Sequence, residues 1–200
     1  MWTEPLTIQT TSIIKPPVKI VYPQVTNGTN KSAAQKMNET IRSDVNRLMK
    51  IQGFPSPNIQ EMIGQYELKS NQRNVLSLTN LNYVFSGGAH GNTVLSGLTF
   101  ETTTGNLIPL KGLFKPGSNY VAALNELIRK QIKERQMPLL QPFTTIAPDQ
   151  DYYIADKALV IFFQLYDLQA YVYGFTYFPI SIYDVQSIVL EDGVFGRMLS

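Results

Sequence analysis

Tyr83-Val84-Phe85-Ser86-Gly87-Gly88-Ala89-His90-Gly91-Asn92 holds three of the 13 glycines and the only histidine of the chain. Before it, Val75-Leu76-Ser77-Leu78-Thr79-Asn80-Leu81-Asn82-Tyr83-Val84-Phe85 alternates apolar and polar residues. After it, Thr93-Val94-Leu95-Ser96-Gly97-Leu98-Thr99-Phe100 resumes the two-residue period. Such alternation predicts strands with one face on a core and the other in water. Glycines at the join permit positive φ and close backbone approach, as a tight hairpin or bulged corner requires. The stretch therefore reads as a pivot between two paired strands.

Working outward, Leu6 to Ile14 and Val18 to Tyr22 read as strands, split by Lys15-Pro16-Pro17. Prolines there suit an edge strand or a crossing between sheets. Beyond the loop Thr26-Asn27-Gly28-Thr29-Asn30, a helix is expected over 31–52, capped by Asn30 or Ser32. Its apolar stripe is Ala34, Met37, Ile41, Val45 and Leu48, with Lys36, Arg42, Arg47 and Lys50 largely off it. Met62 to Ser70 begins a meander into the central strand. Thr104-Gly105-Asn106 signals a hairpin between Leu98–Thr102 and Leu107–Leu110.

A second helix is expected over 119–136, stopped by Pro138. Tyr152 to Ala155, Ala158 to Phe163 (buried on both faces) and Tyr177 to Ile182 complete the strands. Strands joined by hairpins rather than regular βαβ units give an α+β class. The expected architecture is two intertwined subdomains, 1–100 and 101–200, whose antiparallel sheets are each covered by one long amphipathic helix.

With 200 residues, 44% hydrophobic and 16% charged, the chain is a folded protein with room for a sizeable core. A net charge of +2 is too small to argue for nucleic acid. Its distribution is uneven. Residues 31–50 carry five basic against two acidic residues, residues 111–135 six against two, and residues 149–200 two against seven. The lack of cysteine excludes disulfides and thiolate chemistry. No run reaches the ~18–20 apolar residues of a membrane span. The start Met1-Trp2-Thr3-Glu4-Pro5 reads as that of a trimmed ectodomain.

Candidate chemistry is sparse. A zinc site needs several histidines or carboxylates in concert, and His90 is alone, so no metal or cofactor is expected. Ser86 lies four residues from His90, but no Gly-x-Ser-x-Gly elbow surrounds it. Asp149-Gln150-Asp151 with Asp156 lacks the glycine and closing glutamate of a calcium loop and reads as a solvated turn. Glu101 and Asp167 are available as a carboxylate pair, though no spacing singles them out. Tyr166, Tyr171, Tyr173, Phe175, Tyr177 and Phe178 crowd a short segment. Most are expected in the core, with Tyr171 and Tyr173 at alternate positions beside Gly174 and facing a rim.

Tyr22-Pro23-Gln24 ahead of a long helix, followed by the Gly-Gly-Ala-His-Gly block, resembles the first half of the RsiV-like extracytoplasmic domain. The second half, with Phe162 to Gly174, resembles its carboxy-terminal partner, a family of unknown function. Gln164-Leu165, Asp167 and Gln169-Ala170 depart from that family's usual residues. Such pairs occur in an anti-sigma factor whose ectodomain is a lysozyme receptor, and ahead of the catalytic domain of PdaC-type peptidoglycan deacetylases. The resemblance implies a non-catalytic, extracytoplasmic binding or sensing module of a Gram-positive envelope, contacting C-type lysozyme or peptidoglycan. His90, Gly88, Tyr171 and Tyr173 are the expected ligand-binding residues. The alternative is a wall-glycan hydrolase using His90 with a nearby carboxylate or Ser86.

Overall fold

The computed structural model describes residues 4–27 and 30–199, so the start at Met1-Trp2-Thr3 and part of the loop before the first helix lie outside the described residues. The protein is a mixed α+β structure dominated by two sheets. Its elements are β1 (Ile8–Lys15), β2 (Val18–Val25), α1 (Lys31–Ile51), β3 (Glu61–Gln72), β4 (Val75–Phe85), β5 (Asn92–Glu101), β6 (Asn106–Leu107), α2 (Tyr120–Glu134), β7 (Tyr152–Ala155), β8 (Ala158–Phe163) and β9 (Thr176–Ser181). The chain divides into two compact units, Met1–Leu107 and Ile108–Ser200. Each is a continuous run with its own sheet, so the expected intertwining does not extend to shared strands.

The first unit holds a six-stranded sheet in the order β1-β2-β3-β4-β5-β6. β3, β4 and β5 form the expected meander, with the turn to β4 made by Arg73 and Asn74 in the left-handed region (φ 52° and 59°). One pair corrects the all-antiparallel expectation: β2 runs parallel to β3, Val18–Ile20 against Met62–Gly64. The reason is α1, a crossover long enough to return the chain to the same end of the sheet, so β2-α1-β3 is a βαβ unit. The two strands approach closely. A Cβ on Gly64 would stand 2.4 Å from Ile20 Cγ2, so the position admits no side chain.

The helix is capped as the sequence predicts: Asn30 Oδ1 accepts from Ser32 N (2.9 Å) and Ala33 N (3.3 Å). Its apolar stripe packs into two clusters. Met37 and Ile41 join Val25, Leu76, Leu78, Leu98 and Phe100, and Val45 and Met49 join Val18, Ile20, Ile59, Met62 and Val84. Between the clusters lies a polar layer. Asp44, buried on the stripe, accepts from Asn80 Nδ2 (2.9 Å) and from Ser96 Oγ with one carboxylate oxygen. Its other oxygen accepts from Arg47 Nε (3.1 Å) and Nη2 (2.6 Å). Asn80 and Ser96 are cross-strand partners, so one carboxylate fixes the helix to β4 and β5 together.

A second correction concerns β4. Ser77 and Thr79, expected in water, are buried along with Leu76 and Leu78. Ser77 Oγ and Thr99 Oγ1 hydrogen-bond across the strand pair at 2.8 Å, which removes most of the cost of burying two hydroxyls.

In the second unit β7, β8 and β9 form an antiparallel meander, and β8 is buried on both faces as expected. Asn119 caps α2 by accepting from Ala122 N (3.3 Å). Gln131 of α2 and Arg135 at its C-cap turn toward β9: Gln131 Nε2 donates to the Pro179 carbonyl and Arg135 Nη1 to that of Tyr177, each at 2.8 Å. Carbonyls on the outer edge of an edge strand thus find donors in a helix rather than in a further strand.

Candidate functional site

Residues 86–91 connect β4 to β5 at the pivot. The neck of this loop is tied down by the C-terminal end of α1. Gln52 Nε2 donates to the carbonyls of Asn82 (2.9 Å) and Asn92 (3.0 Å), and Asn92 Nδ2 donates to Gln52 Oε1 (3.2 Å). Gln60 N donates to the Phe85 carbonyl at 2.9 Å. Gly91 is packed into this neck, since a Cβ there would meet the Tyr83 ring at 2.3 Å and the Val84 carbonyl at 2.5 Å. The tip is open. Gly88 has φ +98° with nothing within 4 Å of where a Cβ would stand. His90 is exposed and its Nδ1 donates to the Gly91 carbonyl at 2.8 Å.

The other two sequence-predicted residues belong to the second unit. Tyr171–Tyr173 is one turn of 3₁₀ helix closed by Gly174 at φ +70°. With three residues per turn, Tyr171 and Tyr173 do not share a face, which corrects the alternate-position reading. Tyr171 is half-buried, with its ring 5.7 Å from that of Tyr166. Val172 is 83% exposed, Tyr173 55% and Tyr166 52%. Of the aromatic set only Phe178 is fully buried, because residues 164–174 leave the strand period that would have turned alternate rings inward. The turn is held from beneath. Gln164 N donates to Asp167 Oδ2 (2.9 Å), Leu140 N to the Leu168 carbonyl (2.8 Å), and Thr176 Oγ1 to Gln169 Oε1 (3.3 Å).

Other candidates are structural in their contacts. Asp151 Oδ2 accepts from Gln164 Nε2 at 3.1 Å, and Glu101 Oε2 from Thr104 Oγ1 at 3.2 Å. Among the described residues no three His, Asp or Glu side chains gather as a metal site would need.

A third surface was not anticipated. A groove of about 810 Å³ runs between the end of β2 and the first three turns of α1. Tyr22 and Pro23 line one side, Gln35 and Asn38 the other, and Gln24 and Asn27 are also in its wall. The signal was present: Tyr22-Pro23-Gln24 carries part of the family resemblance, and Asn38 adjoins the apolar stripe.

Comparison with known proteins agrees with this division of the chain. Residues 9–93 match the family model described as deacetylase PdaC, and residues 111–183 match that of a protein of unknown function, DUF3298. A PdaC-type segment precedes a DUF3298 segment. The PdaC-type segment runs from β1 through the glycine loop, and the DUF3298 segment from just before α2 through β9. A DUF3298 family protein from Pseudomonas aeruginosa PAO1 superposes with a TM-score of 0.70 at 13% identity, covering 94% of this chain and 95% of the other. A DUF3298 member from Bacteroides fragilis NCTC 9343 gives 0.71 at 10% identity, covering 96% and 97%. At these identities the likeness is one of fold. No curated protein matches the chain.

Proposed function

We propose that this chain is a non-catalytic binding or sensing module of the extracytoplasmic cell envelope, related in role to RsiV-like ectodomains, with cell-wall glycan or a lysozyme-like protein as its contact. In this reading each sheet, backed by its amphipathic helix, is a rigid base for a presenting loop. The observation that carries it is the turn at Tyr171–Tyr173, which holds Tyr173 and Val172 in solvent on a hydrogen-bonded support. Exposed aromatic and aliphatic side chains on a fixed turn are suited to stack on sugar rings or to anchor in a partner's pocket. The glycine loop with Gly88 and His90 supplies a second adaptable tip in the first unit. The PdaC-type match supports an envelope-facing role, and no helix among the described residues is long and apolar enough to cross a membrane. The acidic balance of residues 149–200 favours a basic protein partner on the second unit.

The test is co-sedimentation of the purified chain with peptidoglycan sacculi, alongside a binding titration with C-type lysozyme. Binding in either assay that is lost in Tyr173→Ala with Val172→Ser supports the reading. Failure of the parent chain in both assays, or binding that the double variant leaves unchanged, overturns it.

A further inference from the structure

The groove between β2 and α1 lies at the opposite end of α1 from the glycine loop and has a different chemistry. Lys31, Gln35, Asn38 and Arg42 recur at three- and four-residue spacing, so they share one helix face, and all four line the groove. The rise from Lys31 to Arg42 is about 16 Å at the α-helical pitch. The walls are pinned together midway. Asn38 Oδ1 accepts from Val25 N (2.8 Å) and Asn38 Nδ2 donates to the Val25 carbonyl (2.9 Å), so the amide binds helix to strand as a ladder pair would.

Charge distinguishes this face from the rest of the helix. Arg47 is paired with Asp44, and Lys36 donates to Asn106. Among the described residues, neither the Lys31 nor the Arg42 side chain has a hydrogen bond or ion pair. Glu39 also lines the groove, but accepts from Gln35 Nε2 at 2.8 Å, and the lining keeps a positive balance. The first turn of α1 has no acidic residue, so the partial positive charge of the helix start adds to that of Lys31. The same lining holds half-buried Tyr22 and the amides of Gln24, Asn27 and Gln35, a group type that both donates and accepts; Asn27 Oδ1 already accepts from Thr7 N (2.6 Å).

We propose that this groove binds an extended anionic glycan, a sugar chain bearing carboxylates or phosphates, with Lys31 and Arg42 each taking one anionic group. Hydroxyls, which donate and accept together, match the lining amides, and a pyranose face matches the Tyr22 ring. The volume lies within the range of built ligand sites. The inference rests on the proposed function only in taking a glycan as ligand; it names a separate site and ligand chemistry.

The experiment titrates the full chain by calorimetry with three probes: a galacturonate tetramer, a glycerol-phosphate oligomer, and an uncharged N-acetylglucosamine tetramer. The double variant Lys31→Gln, Arg42→Gln is compared with Lys130→Gln, Lys133→Gln on α2, which makes the same change in net charge. We expect at least one anionic probe to bind, to weaken about tenfold or more in the groove variant from lost charge-assisted contacts, and to be unaffected in the α2 variant. Preference between the two anionic probes identifies the acidic group. Equal loss in both variants, equal or tighter binding of the neutral tetramer, or no binding of either anionic probe overturns the proposal. An oligoglutamate binding as tightly as the anionic sugars, with the same dependence on Lys31 and Arg42, overturns it in favour of an acidic peptide. Sacculus binding that survives Lys31→Gln, Arg42→Gln but not the tyrosine variant leaves the proposed function standing while the groove fails.

Discussion

Asp44→Ala should be the most damaging single substitution on the helix surface of the first unit, and its effect can be worked from the contacts. The side chain is 7% exposed and accepts from Asn80 and Ser96, both 2% exposed. Alanine leaves an amide and a hydroxyl buried without their acceptor, and each such group costs about 1–3 kcal/mol. Asn80 Oδ1 has no hydrogen-bond partner either, so the loss of Asp44 leaves the buried amide with neither of its ends paired. A total of about 3 kcal/mol is expected. At a urea slope of roughly 2 kcal/mol per molar this lowers the unfolding midpoint by about 1.5 M. Arg47→Ala removes the other half of the same ion pair, but from a side chain 54% exposed, and should cost under about 1 kcal/mol. Asp44→Asn, which keeps one acceptor, should fall between. The assay is urea unfolding followed by far-UV circular dichroism. If Asp44→Ala shifted the midpoint by under about 0.3 M, or Arg47→Ala matched it, the polar layer would not be what fixes the helix to the sheet.

Gly91→Ala should lower stability by about 1–3 kcal/mol, since its Cβ would overlap the Tyr83 ring and the Val84 carbonyl; thermal unfolding reads this directly. Gly88→Ala, at positive φ but in open space, should cost only about 1 kcal/mol, so the two melting curves should separate in that order. His90→Ala should change stability by less than about 0.5 kcal/mol, because the residue is exposed at an open loop tip. Any activity found for the chain that survives His90→Ala rules out a hydrolase built on that residue. Arg135→Ala with Gln131→Ala should uncover two carbonyls on the edge of β9, and light scattering during prolonged incubation should rise above that of the parent chain.

The sequence made the elements legible because their periods are clean. Val75 to Phe85 is a strand at both expected ends, and Asn30 and Asn119 cap the helices by a mechanism local to a few residues. What escaped was set by distant partners. The parallel pairing of Val18–Ile20 with Met62–Gly64 leaves no local trace, as β2 alternates equally well against either neighbour direction. Nothing local marks Asp44 as buried, because its partners Asn80 and Ser96 lie 36 and 52 residues away in the chain. The aromatic segment misled for the opposite reason. Its residues have strand composition, but a left-handed Tyr166 (φ 69°) and Gly174 (φ 70°) bracket a turn, and side chains there obey a three-residue period. Of the candidate surfaces, the glycine loop and Tyr173 were visible in the sequence. The groove left only the Tyr22-Pro23-Gln24 trace, because its walls take shape when Asn38 pins α1 against Val25 of β2.

The brevity of the β2–β3 pairing has a kinetic side. The β3-β4-β5 meander is closed by turns of a few residues, so its loop-closure entropy is small and it is suited to form first. Joining β2 to it means closing the whole of α1 for three residue pairs, a poor return until the helix has docked on both clusters. Transition-state analysis should therefore find Leu78 and Leu98 substitutions slowing refolding, while Ile20→Val mainly speeds unfolding. If Ile20→Val slowed refolding as much as the meander substitutions, the crossover would belong to the nucleus. Otherwise the segment bearing β1, β2 and the groove is the last part of the first unit to lock and the first to let go.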